Sequence, residues 1–201
     1  MKLRKLVEIM NVEDIVQFRF VPLDVDPRPS FHFISNEKWN AYRNSTIEQR
    51  DLITSEDDLF IYIPDVTEKE LYSYIMQIGP QYAYDALKQI SFIFNFTNEE
   101  RDLVYAIYTI LHETGHYVFY KNSHMTSIEY GDWELEFRIP ALVFNEYLKS
   151  LPNDSDRIMY MPRLFEMYKA IPSEIEADKY AFSIIADKYE LVRSTLEGPI
   201  N

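Results

Sequence analysis

The chain contains no cysteine. Disulfides and thiolate metal sites are therefore excluded, and the composition suits a reducing compartment. Glycine is scarce, with 4 in 201 residues. That disfavours a turn-rich all-β sandwich and leaves long helices as the easier architecture. Basic residues are outnumbered, with 20 Lys and Arg against 33 Asp and Glu and a formal charge of −13. No Lys/Arg cluster offers a surface for a phosphate backbone, so direct nucleic-acid binding is not expected. No window of about 18 apolar residues exists for a membrane helix. The N-terminus MKLRKLVEIMNVEDIV begins with basic residues, but Glu8, Glu13 and Asp14 interrupt its apolar positions and no signal-peptide core forms. A soluble cytoplasmic protein with no membrane contact is the expectation.

What is present fits one domain over residues 1–201. Apolar residues make up 47% and aromatics 15%, enough for a sizeable core. Residues 1–65 read as short apolar–polar alternations. DIVQFRFVPL places Val16, Phe18 and Phe20 on one side of a strand, and SFHFIS and DLFIYIP are two more strand candidates, with turn signals such as DVDPRPS between them. The polar stretch 38–57 reads as a loop with a short helix.

From residue 67 the period becomes helical. Thr67 and Glu70 form a capping box at the start of TEKELYSYIM. QYAYDALKQISFIFNF fits a helix through Ala83, Leu87, Ile90 and Phe94, while ISFIFNF alone would pass as a buried strand. Thr97 and Glu100 make a second capping box, and Leu103, Ile107, Ile110, Leu111 and Val118 recur at helical spacing, which predicts a helix over 98–120. IPALVFNEYLKSL and MPRLFEMYKAI read as helices with Pro140 and Pro162 near their starts. The last helix, SEIEADKYAFSIIADKYELVRSTL, is expected to be capped by Ser173, with Glu176 completing the box.

The predicted helix over 98–120 carries HETGH, residues 112–116, and with it two of the four histidines. Residues four apart lie one above the other on a helix, so His112 and His116 can both aim a ring nitrogen at one ion. Zinc takes about four tetrahedral ligands with nitrogen at roughly 2.0–2.1 Å, and two imidazoles one turn apart fit that bite. Glu113 sits about 100° round the helix from His112. It can reach a water on the metal, whose pKa zinc lowers toward about 7, and take its proton. Gly115 is a small residue where the helix must pack closely against a neighbour. The alternative is a pair of core histidines bonded to backbone, with Glu113 on a solvated face. The pattern fits H-E-x-x-H, the metallopeptidase signature.

Two histidines do not complete a site. A third histidine six residues on would fall at Asn122. His124 reads as an exposed loop residue and His32 as a structural one. Nothing in the surroundings of Glu134, Glu136 or Glu146 singles them out. Glu174 opens EIEAD, with Asp178 one turn later on the same face. A ligand carboxylate and a carboxylate that fixes a ligand histidine's tautomer make chemical sense at that spacing; the alternative is that Glu174 and Glu176 are favourable first-turn acids near a helix N-terminus, with Asp178 exposed.

HETGH followed by EIEADKYAFSII resembles the gluzincin arrangement, in which H-E-x-x-H is joined by E-x-x-x-D on a later helix. More narrowly it resembles the ImmA/IrrE-type metallopeptidases, which show H-E-x-G-H and then E-x-E-A-(N/D)-x-F-A, with Tyr180 here in place of Phe. FIFNFTNEERD is similar to that family's strand, turn and entry to the active-site helix. The resemblance implies that His112, His116 and Glu174 bind zinc, that Glu113 is the general base, and that Asp178 supports a ligand histidine from behind. It covers about residues 90–120 and 173–185. The segment between His116 and Glu174 is longer than the family's, and residues 1–88 match none of its motifs. Family members often act on helix-turn-helix repressors, which implies a protein substrate in the cytoplasm.

These observations together predict an α+β, zincin-like fold, mostly helical with a small N-terminal sheet. Residues 89–201 form its metal-binding helical part. The expected reaction is hydrolysis of a peptide bond in a protein or peptide substrate. A non-proteolytic metal-binding regulatory or protein-interaction domain is the alternative. Zincins add a Tyr, His or Arg donor for the oxyanion, and the 16 tyrosines leave that donor and the oligomeric state open.

Overall fold

A computed structural model describes residues 1–22, 28–33, 36–46, 49 and 59–197. Its elements are α1 (Leu3–Met10), β1 (Phe18–Val21), β2 (Ser30–His32), α2 (Asn36–Asn44), β3 (Phe60–Pro64), α3 (Glu68–Ile78), α4 (Pro80–Ile90), α5 (Arg101–Ser123), α6 (Ser127–Ser150), α7 (Asp154–Lys169) and α8 (Pro172–Glu197). The fold is α+β, mostly helical with a small N-terminal sheet. Strand order is β1-β3-β2, with β1 parallel and β2 antiparallel to β3. The three strand candidates form this sheet. Residues 24–27 of the expected turn DVDPRPS, and most of 47–57 of the polar stretch, lie outside the described residues. Among the described residues no helix is long and apolar enough to cross a membrane.

The first helix was not anticipated from the alternation over 1–65. Its signal is nonetheless a helical one: Leu3, Leu6, Val7 and Met10 stand at i, i+3, i+4 and i+7 and are all fully buried. They share one core with Ile61 and Ile63 of the sheet, with Val104–Leu111 of α5, and with Ala181, Ile185 and Tyr189 of α8. A second cluster, built on Phe33, Tyr42, Tyr120 and Tyr130, ties β2 and α2 to the C-terminal end of α5.

Both predicted capping boxes are present, at Thr67/Glu70 and Thr97/Glu100. The second opens a short 3₁₀ turn that feeds α5, which runs three residues past the expected end at 120. It stops at His124 in the left-handed region, φ 57°. QYAYDALKQISFIFNF resolves as helix to Ile90 followed by a turn, so ISFIFNF is not a strand.

Two expectations are corrected. Pro140 and Pro162 lie inside α6 and α7 and not near their starts. An interior proline removes one helical hydrogen bond, and here the remaining ladder carries both helices through. The true start of α6 is a capping box, Thr126 with Glu129, fourteen residues before Pro140. Local cap chemistry set that boundary, and the proline did not.

Helices α5 and α8 pack tightly against one another at Gly115. A Cβ placed on Gly115 would lie 2.8 Å from both Cα and O of Ala177 and 3.1 Å from Cβ of Tyr180. Two of those atoms are backbone and cannot rotate away. Gly115→Ala should therefore destabilise the protein by about 1–3 kcal/mol through overpacking, against the ~1 kcal/mol gain in helix propensity an exposed site would show. Thermal unfolding followed by circular dichroism checks this, and a melting temperature at or above wild type would contradict the close crossing.

Candidate metal centre

The crossing of α5 over the first turns of α8 brings three ligand-type side chains together. His112 Nε2 lies 3.2 Å from His116 Nε2. Glu174 Oε2 lies 3.3 Å from His112 Nε2 and 3.6 Å from His116 Nε2. Two ligands about 2.0–2.1 Å from a tetrahedral ion stand ~3.3 Å apart, so the three atoms outline one face of such a coordination shell. Among the described residues, His112, His116 and Glu174 form a group able to hold a metal ion.

The surroundings orient this face. His112 Nδ1 lies 2.9 Å from Asp178 Oδ1. With Nδ1–H donating to that oxygen, Nε2 is the atom turned to the centre. Asp178 is itself fixed: the Tyr108 hydroxyl donates to Oδ1 at 2.6 Å, and the Lys169 ammonium pairs with Oδ2. Lys169 also reaches Asp85 at 3.6 Å. Glu113 stands outside the group able to hold a metal. It is partly buried, and its Oε2 accepts the backbone N–H of Phe31 in β2 at 2.8 Å.

The charges show what the cluster needs. Burial pushes the His112 ring down, but hydrogen bonds to Asp178 and Glu174 outweigh it and carry the ring up to about 10. Burial raises the Glu174 carboxyl, yet the facing His116 and His112 hold it well below the usual carboxylate range. Asp178 is likewise raised by burial and brought down to about 2 by His112 and Lys169. Burial raises Glu113, with both histidines opposing. Five carboxylates, Glu113, Glu134, Glu174, Asp178 and the partly exposed Asp85, meet two permanent cations, Arg138 and Lys169. The cluster carries an excess of negative charge, which a divalent cation with neutral imidazoles would reduce.

The other candidates fall elsewhere. His124 is exposed at the end of α5. His32 stacks on Phe60 with ring centroids 5.2 Å apart, and its Nε2 meets Ser30 Oγ at 2.7 Å, a structural role in the sheet. Glu136 and Glu146 are exposed. Glu134 is a correction: it is buried, paired with Arg138, and accepts the Ser173 hydroxyl at 3.1 Å. Ser173 is therefore not the cap of α8. Pro172 occupies the first helical position, which turns Ser173 inward, and Glu176 pairs with Lys179 at 2.6 Å and completes no box.

Four residues around the centre were not anticipated: Tyr108, Glu134, Arg138 and Lys169. Tyr108 stands one turn before His112 on the same face, and Glu134 and Arg138 are an i,i+4 pair. Those spacings were visible signals. Lys169 had none.

No family model matches this chain, and no curated protein or solved structure does so either.

Two predictions follow from the geometry. Glu174→Ala should weaken divalent-metal binding by more than the 10–100-fold typical of an outer-shell change, while Glu176→Ala leaves it unchanged. Chelator competition reads both, and equal losses would place the ligand wrongly. Proton and metal compete for His112 Nε2, and the raised ring keeps that proton through neutral pH. Binding at pH 7 should thus release a proton, and affinity should rise by about tenfold per unit as pH climbs toward the His112 value. Calorimetry in buffers of different ionisation enthalpy measures the release, and an affinity independent of pH would contradict it.

Proposed function

We propose that this chain is a zinc-dependent peptidase of the gluzincin kind, related to the ImmA/IrrE-type metallopeptidases, with a zincin-like fold. It hydrolyses a peptide bond in a protein or peptide substrate, and a cytoplasmic protein such as a repressor is the substrate class that the family resemblance favours. The observation that carries this reading is the triangle of His112 Nε2, His116 Nε2 and Glu174 Oε2, with sides of 3.2, 3.3 and 3.6 Å. Nitrogen and carboxylate donors at that spacing suit zinc.

A zinc ion held there supplies Lewis-acid activation of water and of the substrate carbonyl. The chain's own residues supply the rest. Glu113 is next to His112 but outside the ligand set. The Phe31 N–H holds one of its oxygens, Oε2, and Oε1 is the atom we assign as proton acceptor. Burial raises this carboxyl, which brings a carboxylate closer to the basicity useful at neutral pH. The same group then hands the proton to the departing amine. Asp178 keeps His112 in the tautomer that leaves Nε2 for the ion, and Tyr108 and Lys169 keep Asp178 in place.

Glu113→Gln tests the hydrolytic step. The amide oxygen of Gln can still accept the Phe31 N–H, so fold and zinc content should persist. Cleavage of a proteome-derived peptide library should fall by roughly 10²–10⁴-fold, the contribution of a positioned base. Undiminished cleavage with zinc bound would contradict Glu113 as the base. A wild type that binds zinc but cleaves no member of the library, or of the host proteome, would favour the non-proteolytic regulatory domain.

A further inference from the structure

Glu134 sits in α6, outside the ligand set, yet it is only 3% exposed. Its Oε1 accepts the Ser173 hydroxyl and pairs with Nε of Arg138 one turn along α6. Its Oε2 is buried and has no hydrogen-bond partner among the described residues. A buried carboxylate with a bare oxygen is a poor stabilising device. Such departures from good packing concentrate where function needs them.

The Arg138 guanidinium continues the chain of contacts. Its other end, Nη2, lies 3.2 Å from Glu174 Oε1. Glu174 Oε2 is the oxygen that faces His112 and His116. The two oxygens of this carboxylate thus have separate tasks: one is tied to α6, the other is turned to the histidines. Arginine suits the first task because its planar fork can grip two carboxylates in fixed directions, whereas lysine offers only a point charge.

We propose that Arg138, anchored by Glu134 and Ser173, is a positioning residue that holds Glu174 as a one-oxygen metal ligand. This rests on the metal-site reading above. The anchor also links α6 to the ligand helix α8, since Ser173 and Glu174 are adjacent in α8. Without Arg138 the Glu174 carboxylate is free to rotate, and its second negative partner Glu134 is left uncompensated. The ligand set stays complete but loses its preset direction, and binding must supply the ordering.

The test uses the full-length protein without a histidine tag and zinc alone as the probe. Zinc affinity is measured by chelator competition. X-ray absorption reports how the carboxylate ligates. The melting temperature of the metal-free form reports on structure. Arg138→Gln, which keeps much of the side chain's length, should weaken zinc by 10–100-fold, the range of an outer-shell partner, and change the carboxylate contribution to the absorption spectrum. Arg138→Lys should recover part of the loss. Glu134→Gln is the second variant, should Arg138→Gln fail to fold, and should weaken zinc in the same direction. Zinc affinity unchanged in these variants, with only the metal-free melting temperature lowered, would make the triad merely structural and overturn the proposal. Failure of the underlying site reads differently: wild type would then not bind zinc, or His116→Ala would bind it as well as wild type.

Discussion

Everything proposed for this protein depends on how closely α5 and α8 approach one another. Gly115 lies between the two histidines' turns, and Ala177 lies between Glu174 and Asp178. Where these small residues meet there is no room for one more methyl group. The approach sets the reach of Glu174 to both imidazoles and of Asp178 to the far side of one of them. A helix pair held farther apart by larger side chains would keep the same residues and lose the cluster. Packing density in the core is thus the physical basis of the site's geometry.

That geometry concentrates charge where the core otherwise excludes it. The carboxylates Glu113, Glu174 and Asp178 and both imidazoles stand against an apolar body formed by α1, α5, α8 and the sheet. Such a group of ionisable residues is costly unless each is matched. The protein matches most of them internally. Lys169 is shared between Asp178 and Asp85, Arg138 is shared between Glu134 and Glu174, and a backbone N–H serves Glu113. The centre itself stays undersupplied with positive charge. In the chain alone a proton on His112 lessens the deficit; a divalent cation would lessen it further.

The cluster of His112, His116, Glu174 and Asp178 was legible in the sequence because its members lie in two short stretches, HETGH and EIEAD, each on a single helix. Helical periodicity alone places His112 with His116 and Glu174 with Asp178. The groups that support them were harder to read. Arg138 and Lys169 belong to α6 and α7, and nothing local says that these helices turn toward α8. Ser173 looked like a cap because serine before an acidic run usually is one, but Pro172 shifted the helix start and turned its hydroxyl to Glu134. Prolines 140 and 162 misled in the opposite sense, as boundary marks inside helices whose starts lay upstream. The buried stripe of α1 was present at i, i+3, i+4 and i+7, yet its short length let it pass as alternation. Local chemistry was readable; tertiary approach was not.

The central claim is that His112, His116 and Glu174 together hold one zinc ion. Metal analysis of tag-free protein, joined to zinc-edge X-ray absorption on the same sample, addresses it most directly. About one zinc per chain is expected, with two imidazole nitrogens and a carboxylate oxygen among its neighbours. Protein that carries no metal and takes up none when zinc is added, or zinc bound without imidazole, would contradict it.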